Sequence, residues 1–152
     1  MVNSMATSPG TNASYSARLR GRFSGILKWK DLDALWERIN TSGEPWYLYQ
    51  IGTEPPETPA TGEPLATALH RLDELLHTDH HHDYCGIVYA DDCERPTLVK
   101  IYDPNNLGAS CGSSGRLILP RWVLSLQKSE EIHDPAPLPN NRRRWWRRLL
   151  GA

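Results

Sequence analysis

Residues 85–102, CGIVYADDCERPTLVKIY, contain two short runs of apolar, β-branched and aromatic residues on either side of a polar loop. Runs of this length and composition are typical of β-strands. The loop at 91–96 is short enough to join antiparallel neighbours. The sequence therefore predicts a hairpin of strands 85–90 and 97–102, and a sheet built on it.

Two helices and a strand are predicted before this hairpin. Apolar side chains recur at helical spacing in residues 29–40 and again from Pro64 to a C-terminal end near 77–82. The apolar positions are Leu32, Leu35, Trp36 and Ile39 in the first helix, and Leu65, Leu69, Leu72, Leu75 and Leu76 in the second. Residues 46–51, WYLYQI, predict a strand that is apolar on both faces, which favours a central position in the sheet.

The segment after the hairpin is predicted to contain a turn, a loop and one element that fits either a helix or a strand. Residues 103–106, DPNN, predict a turn, and residues 108–115, GASCGSSG, predict a loop. In residues 117–128 the apolar positions fit both helical spacing and strand alternation. The alternation slightly favours a strand.

This order of elements predicts an α+β fold, in which a small, mostly antiparallel sheet of about three or four strands is packed by two amphipathic helices. A thioredoxin-like α/β fold is the alternative. It requires an additional strand near 23–27 and a helix in the 117–128 segment, and the sequence lacks the CxxC motif of redox members.

Charge is strongly segregated along the chain. Residues 1–30 and 142–152 each carry five Lys/Arg and no acid, whereas residues 31–141 hold seven Lys/Arg and all 18 acidic residues, a net charge of −11. Together with composition, this predicts a disordered basic arm (1–22), one α+β domain (23–133), a Pro-rich spacer (134–141) and a basic Arg/Trp tail (142–152).

Three cysteines without a CxxC pair favour a reducing compartment, and the cytoplasm is the expected location. The sequence lacks an apolar run of the roughly 20 residues that span a bilayer. Residues 1–30 are rich in Ser, Ala and Arg and contain no acid, so organelle targeting by this segment is the alternative.

A histidine cluster is the candidate for a metal site. His77, His80, His81 and His82 lie close to Cys85, and imidazole and thiolate are donors that transition metals prefer. A second, separated ligand pair is missing from the sequence, so a polar helix end is the favoured interpretation and no cofactor is predicted. Stacked histidines could also respond to pH.

Cys111 is the candidate for thiol chemistry. It lies in the Gly/Ser-rich stretch 108–115, where exposed backbone N–H groups could lower the pKa of a thiol or bind an anion. The sequence does not fix the base that a nucleophile requires. A plain loop with an incidental cysteine is the favoured interpretation.

The tail is the strongest candidate for a binding site. It combines five arginines with two adjacent tryptophans, and Arg and Trp are enriched at the energetic centres of protein interfaces. The predicted binding residues are Arg142, Arg143, Arg144, Trp145, Trp146, Arg147 and Arg148. An anionic membrane surface also suits this composition, whereas the acidic body would repel a long nucleic acid. In the alternative without a partner, the tail folds back on the acidic body.

The sequence contains no motif that names a reaction, and it therefore favours a small, non-catalytic adaptor, assembly or regulatory protein that docks a larger protein complex through its body and tail. A thiol- or metal-dependent redox or sensor protein and a peripheral membrane protein are the alternatives. If the tail is a separate docking peptide, removal of residues 140–152 leaves thermal unfolding nearly unchanged.

Overall fold

The computed structural model describes residues 14–106 and 118–150, which form an antiparallel sheet with helices on both faces. A single turn of 3₁₀ helix, Pro104–Asn106, occupies the predicted turn at 103–106. In chain order the other elements are α1 (Tyr15–Leu19), β1 (Ser24–Ile26), α2 (Trp29–Thr41), β2 (Tyr47–Gln50), α3 (Gly62–Asp79), β3 (Val88–Ala90), β4 (Leu98–Ile101), β5 (Trp122–Ser125) and α4 (Asn140–Leu149).

The strand order of the sheet is β1-β3-β4-β5-β2, and every pairing is antiparallel. The predicted hairpin is confirmed, with Val88 opposite Ile101 and Ala90 opposite Val99. The uncertain segment contains strand β5, as the alternation favoured. The fold class is α+β as predicted, with more strands than expected, and the helix required by the thioredoxin-like alternative is replaced by this strand.

The central position predicted for β2 is wrong, because among the described strands it lies at an edge of the sheet and pairs with β5 alone. Its side chains are apolar on both sides for a different reason. Leu48 joins the core beneath α2 and α3, whereas Tyr49 and Ile51 join a second core on the opposite face. Because both faces of β2 are covered, this edge strand has the apolar composition that is typical of a central strand.

The larger core lies between the sheet and the helices α2 and α3. Both helices bury the apolar stripes predicted from their spacing. The two helices are also joined by a hydrogen bond from the Trp36 indole Nε1 to Asp73 Oδ1 at 3.0 Å. Trp122 on β5 is fully buried in this core and lies close to α4.

The smaller core lies on the other face of the sheet, under α1. Residues 15–19 were predicted to belong to a disordered arm, and the structure differs: Tyr15 and Leu19 are both buried, one helical turn apart. Ser14 caps the helix by accepting a hydrogen bond from the Ala17 N–H at 3.2 Å. Arg18 ties α1 to the sheet through Thr97 Oγ1 at 2.7 Å. Two apolar groups at i, i+4 therefore anchor a short helix in a polar segment.

The segment before α4, residues 132–139, contacts the edge strand β2 and the residues that follow it. The backbone N–H of Ile132 donates to the Tyr49 hydroxyl at 3.0 Å. Leu138 is buried over Gly52, where an added Cβ would meet the leucine side chain at 3.2 Å. Gly52 also has a φ of 105°, which disfavours any other residue. The segment thus brings α4 back onto the body.

Candidate functional site

Helix α4 begins at Asn140, within the last two residues of the predicted Pro-rich spacer (134–141). Pro139 occupies the N-cap position with a φ of −61°, and its carbonyl accepts hydrogen bonds from the N–H groups of Arg142 and Arg143. The Asn141 side chain also accepts from the Arg142 N–H at 2.9 Å. With a ψ of 145°, Pro139 supplies the extended backbone that is typical of an N-cap position, and Asn140 is the first helical residue.

Helix α4 presents two different faces. Arg142 and Trp146, one turn apart, are buried against the body, with Trp145 and Leu149 half-buried beside them. The other four arginines are exposed and lie within an arc of about 140° on the opposite side of the helix. We call this set the arginine face, and its members are Arg143, Arg144, Arg147 and Arg148.

An ion pair between Arg142 and Asp103, both of which are buried, holds α4 in place. The guanidinium of Arg142 donates to both carboxylate oxygens of Asp103, at 2.9 Å from Nε and 2.8 Å from Nη2. The Arg142 and Asp103 side chains are each only 4% exposed. The same Nη2 also donates to Asp79 at the end of α3, at 2.9 Å. One arginine therefore bridges the helix α4, the turn after β4 and the helix α3.

Further polar groups complete this buried junction. Gln50 Nε2 donates to the Arg142 carbonyl at 3.3 Å, and Gln50 Oε1 accepts from the Trp122 indole N–H at 2.9 Å. A second buried arginine, Arg121, lies 3.6 Å from Asp103 and donates to the Ile51 carbonyl at 2.9 Å. Most polar atoms of this network pair with one another, which lowers the cost of their burial, whereas the buried Arg121 Nε has no hydrogen-bond partner among the described residues.

The junction shifts the pKa of both ion-pair partners toward the charged forms. Burial alone would raise the pKa of Asp103, but hydrogen bonds from Arg142 and from the Asn105 N–H, with the charges of Arg142 and Arg121, hold it below its ordinary value. Burial alone would lower the pKa of Arg142, but Asp103 and Asp79 raise it. Both groups therefore stay charged at neutral pH.

The arginine face differs from the junction because its guanidinium groups are unpaired within the described chain. None of the ion pairs found in residues 14–106 and 118–150 involves an arginine of this face. Arg148 additionally borders a groove of about 680 Å³ between α3 and α4, which Trp145 and Arg71 also line. The same groove is lined by the carboxylates of Asp73, Glu74 and Asp79, whereas Arg143, Arg144 and Arg147 lie outside its lining.

The predicted metal ligands are only partly brought together. The imidazole of His80 is buried and its Nε2 lies 2.7 Å from the Cys85 carbonyl, so the ring is held by the backbone. The ring of His77 lies 4.1 Å from the Trp29 ring, and His82 lies 4.7 Å from His80. His81 is exposed. In the part of the chain that the structure describes, no group of three or more His, Cys, Asp or Glu side chains could hold a metal ion.

The cysteines give no sign of an activated thiol among the described residues. Burial raises the pKa of Cys85, which is fully enclosed, and burial followed by the charge of Asp92 raises that of Cys93. A raised pKa disfavours the reactive thiolate. Cys111, the predicted thiol site, lies outside the described residues.

Sequence reasoning missed the residues that hold α4. It places Asp103 at a predicted turn and Asp79 beside the histidine cluster, and it links neither carboxylate to the tail. The sequence does contain one weak indication that Asp103 has a fixed position, because it follows a predicted strand and precedes Pro-Asn-Asn. In the structure its Oδ1 accepts a hydrogen bond from the Asn105 N–H at 2.9 Å. Gln50 and Trp122 give no such signal, since their meeting depends on the pairing of β2 with β5.

Comparisons with protein-family models, curated proteins and solved structures found no match to this chain. Among the described helices, none is both long and apolar enough to cross a membrane. Any functional interpretation therefore depends on the geometry of the chain itself.

Proposed function

We propose that this protein is a small, non-catalytic adaptor or regulatory protein that docks an acidic surface of a partner protein through the arginine face of α4. The observation that carries the proposal is the division of α4 into a buried anchor, Arg142 and Trp146, and an exposed set of arginines that form no ion pair with the described residues. A helix fixed at one face presents its other face in a defined geometry. Such preorganisation lowers the entropic cost of binding.

The charge pattern supports a partner that is compact and acidic. Arginine is well suited to protein interfaces, because its planar guanidinium pairs with carboxylates in a bidentate manner. The remainder of the chain is strongly acidic, with a net charge of −11 in residues 31–141. This acidic part of the chain would repel a long polyanion, whereas an acidic patch of limited size would contact only α4.

The orientation of the tryptophans favours a protein partner over a membrane surface. Interfacial helices insert their large apolar side chains into the lipid on the face that the membrane contacts. In α4 the Trp146 side chain is 5% exposed and Trp145 lies against Trp122, with ring centroids 5.7 Å apart. Both rings are therefore directed toward the body. Between Asn140 and Leu150, the described part of this end, the large exposed apolar group is Leu150, which is 63% exposed.

Site-specific photocrosslinking tests the proposal. A benzophenone amino acid placed at Leu150, next to the arginine face, is irradiated in cells that produce the protein, and the adducts are identified by mass spectrometry. The expected result is one discrete protein adduct. Arg143→Glu/Arg147→Glu should abolish it, while Arg143→Lys/Arg147→Lys should reduce it only partly because the charge is retained.

A matched control separates docking from general charge effects. Lys28 and Lys30 are exposed near the start of α2, and Lys28→Glu/Lys30→Glu changes the net charge by the same amount. This variant should keep the adduct. Equal loss in both variants, or adducts formed only with lipid, would count against a docking site on α4.

A further inference from the structure

A separate cavity lies under α1, on the face of the sheet opposite α2 and α3. Its volume is about 370 Å³, within the range of small-molecule sites. The walls come from α1, β4, the end of β2 and the segment before β5. The lining residues are Ser16, Leu19, Arg20, Ile51, Lys100, Tyr102, Ile118, Leu119, Pro120 and Ile132.

The lining combines an apolar interior with positive charge. Leu19, Ile51 and Pro120 are buried and supply an aliphatic wall. The charged members of the lining, Lys100 and Arg20, are both cations. An apolar pocket with a few convergent polar groups is the usual form of a small-molecule site.

The ammonium group of Lys100 is the central feature of this cavity. It donates to the Leu19 carbonyl at 3.1 Å and lies 4.1 Å from the centre of the Phe23 ring. Within residues 14–106 and 118–150, neither Lys100 nor Arg20 has a carboxylate oxygen within 4.0 Å. Burial lowers the pKa of Lys100, so its charge is only partly compensated by these neighbours.

The groove between α3 and α4 differs from this cavity because its lining contains carboxylates as well as cations. Its arginines share the lining with Asp73, Glu74 and Asp79, so carboxylates are already present in that groove. In the cavity under α1 the compensating anion is missing from the described lining. A ligand that supplies it would gain a charge-assisted hydrogen bond in a partly desolvated setting.

We propose that this cavity binds a small amphipathic monoanion, a carboxylate with an aliphatic or aromatic body. The carboxylate pairs with Lys100, with Arg20 at the mouth as a second cation, and the apolar body lies against Leu19, Ile51 and Pro120. The site is independent of the arginine face, and the two proposals can fail separately.

Titration with octanoate, followed by ¹H–¹⁵N NMR on the full chain, tests this site below the micelle concentration of the ligand. Octan-1-ol and octylammonium have the same chain and differ in charge. We expect octanoate to shift the amide signals of Lys100, Tyr102 and Ile132 and to bind at least about tenfold more tightly than octanol. Octylammonium should not bind. Equal affinity for all three ligands, or the absence of octanoate binding, would overturn the proposal.

Two variants test whether octanoate binds in the cavity under α1. Lys100→Met keeps most of the length of the side chain and removes its charge, so octanoate affinity should fall about tenfold or more while octanol affinity stays unchanged. Leu119→Trp fills the cavity and should weaken both ligands. Lys28→Met, at an exposed lysine elsewhere, is the matched control and should bind like the wild type. Octanoate binding that survives both Lys100→Met and Leu119→Trp would place the ligand elsewhere and contradict the site.

Discussion

At the residue scale, the ion pair of Arg142 with Asp103 is the contact with the largest expected effect. A buried charge that loses its partner is left without solvent or counter-charge, which is far more costly than the loss of a surface pair. Arg142 also pairs with Asp79, so its removal takes this partner from Asp79 and leaves Asp103 with only the longer Arg121 contact at 3.6 Å. Within the described part of the tail, no other residue forms a comparable ion pair.

We therefore expect Arg142→Met to lower the free energy of unfolding by about 3–5 kcal/mol. The matched substitution Arg143→Met, one position along and exposed, should change it by less than about 0.5 kcal/mol. Urea unfolding measured by tryptophan fluorescence compares the two. Asp103→Asn should add much less destabilisation in the Arg142→Met background than in the wild type, and equal effects in both backgrounds would show that the pair is not coupled.

His80 gives the fold a pH dependence near neutrality. Burial lowers its pKa, the hydrogen bond with the Cys85 carbonyl acts in the opposite direction, and His82 and His81 lower it further. The unfolded chain therefore binds a proton more readily than the folded one. Stability should be greatest above the unfolded pKa of about 6.5 and should decrease as the pH falls through the lower, folded value.

Urea unfolding between about pH 5 and about pH 7.5 measures this dependence. In His80→Gln, which keeps a hydrogen-bond donor for the Cys85 carbonyl, the free energy of unfolding should vary less with pH than in the wild type. His133→Gln, at an exposed histidine, should keep the wild-type slope. A wild-type slope in His80→Gln would assign the pH dependence to other groups.

At the element scale, the two main helices and the hairpin were predictable because their signals are local. The spacing of leucines in α3 and the β-branched runs of β3 and β4 each specify an element without reference to the rest of the chain. The edge position of β2 and the burial of α4 were not predictable in this way. The second buried face of β2 depends on α1, and the burial of α4 depends on Asp103. In each case the partner is distant in the sequence.

The structure changes the expectation for removal of the tail. Trp146 is part of the main core, packed with residues of the sheet and helices, and Arg142 is part of the buried junction. A helix with these contacts is a structural element as well as a candidate docking surface. The nearly unchanged thermal unfolding predicted for a detached peptide is therefore no longer expected.

We expect Trp146→Ala to lower the free energy of unfolding by about 3–5 kcal/mol, because removal of a large aromatic side chain leaves a cavity in the core. Deletion of residues 140–152 should lower the melting temperature by at least as much as this substitution. Leu150→Ala, at the exposed end of the same helix, should change stability by less than about 0.5 kcal/mol. Circular dichroism melts and urea unfolding measure all three, and a deletion that melts like the wild type would contradict the role of α4 in the core.

At the scale of the whole molecule, the segregated charge has two explanations that the structure makes separable. The arginine face could stabilise the fold by attraction to the acidic body, or it could be kept free for a partner. Its four side chains are exposed and form none of the ion pairs found among the described residues. Exposed charges without a close partner contribute little to stability and are screened by salt.

Replacement of all four arginines by glutamine distinguishes the two explanations. For a docking face, the free energy of unfolding should change by less than about 1 kcal/mol at either low or high salt, while the photocrosslinked adduct is lost. For a face that holds the acidic body, the variant should be destabilised most at low salt, where attraction over a Debye length of about 30 Å is strongest, and the loss should shrink at high salt. Urea unfolding at about 0.01 M and about 1 M salt measures this difference. Since the anchor Arg142 and Trp146 are unchanged in this variant, the helix stays in place, and a large destabilisation confined to low salt would refute the docking role of the arginine face.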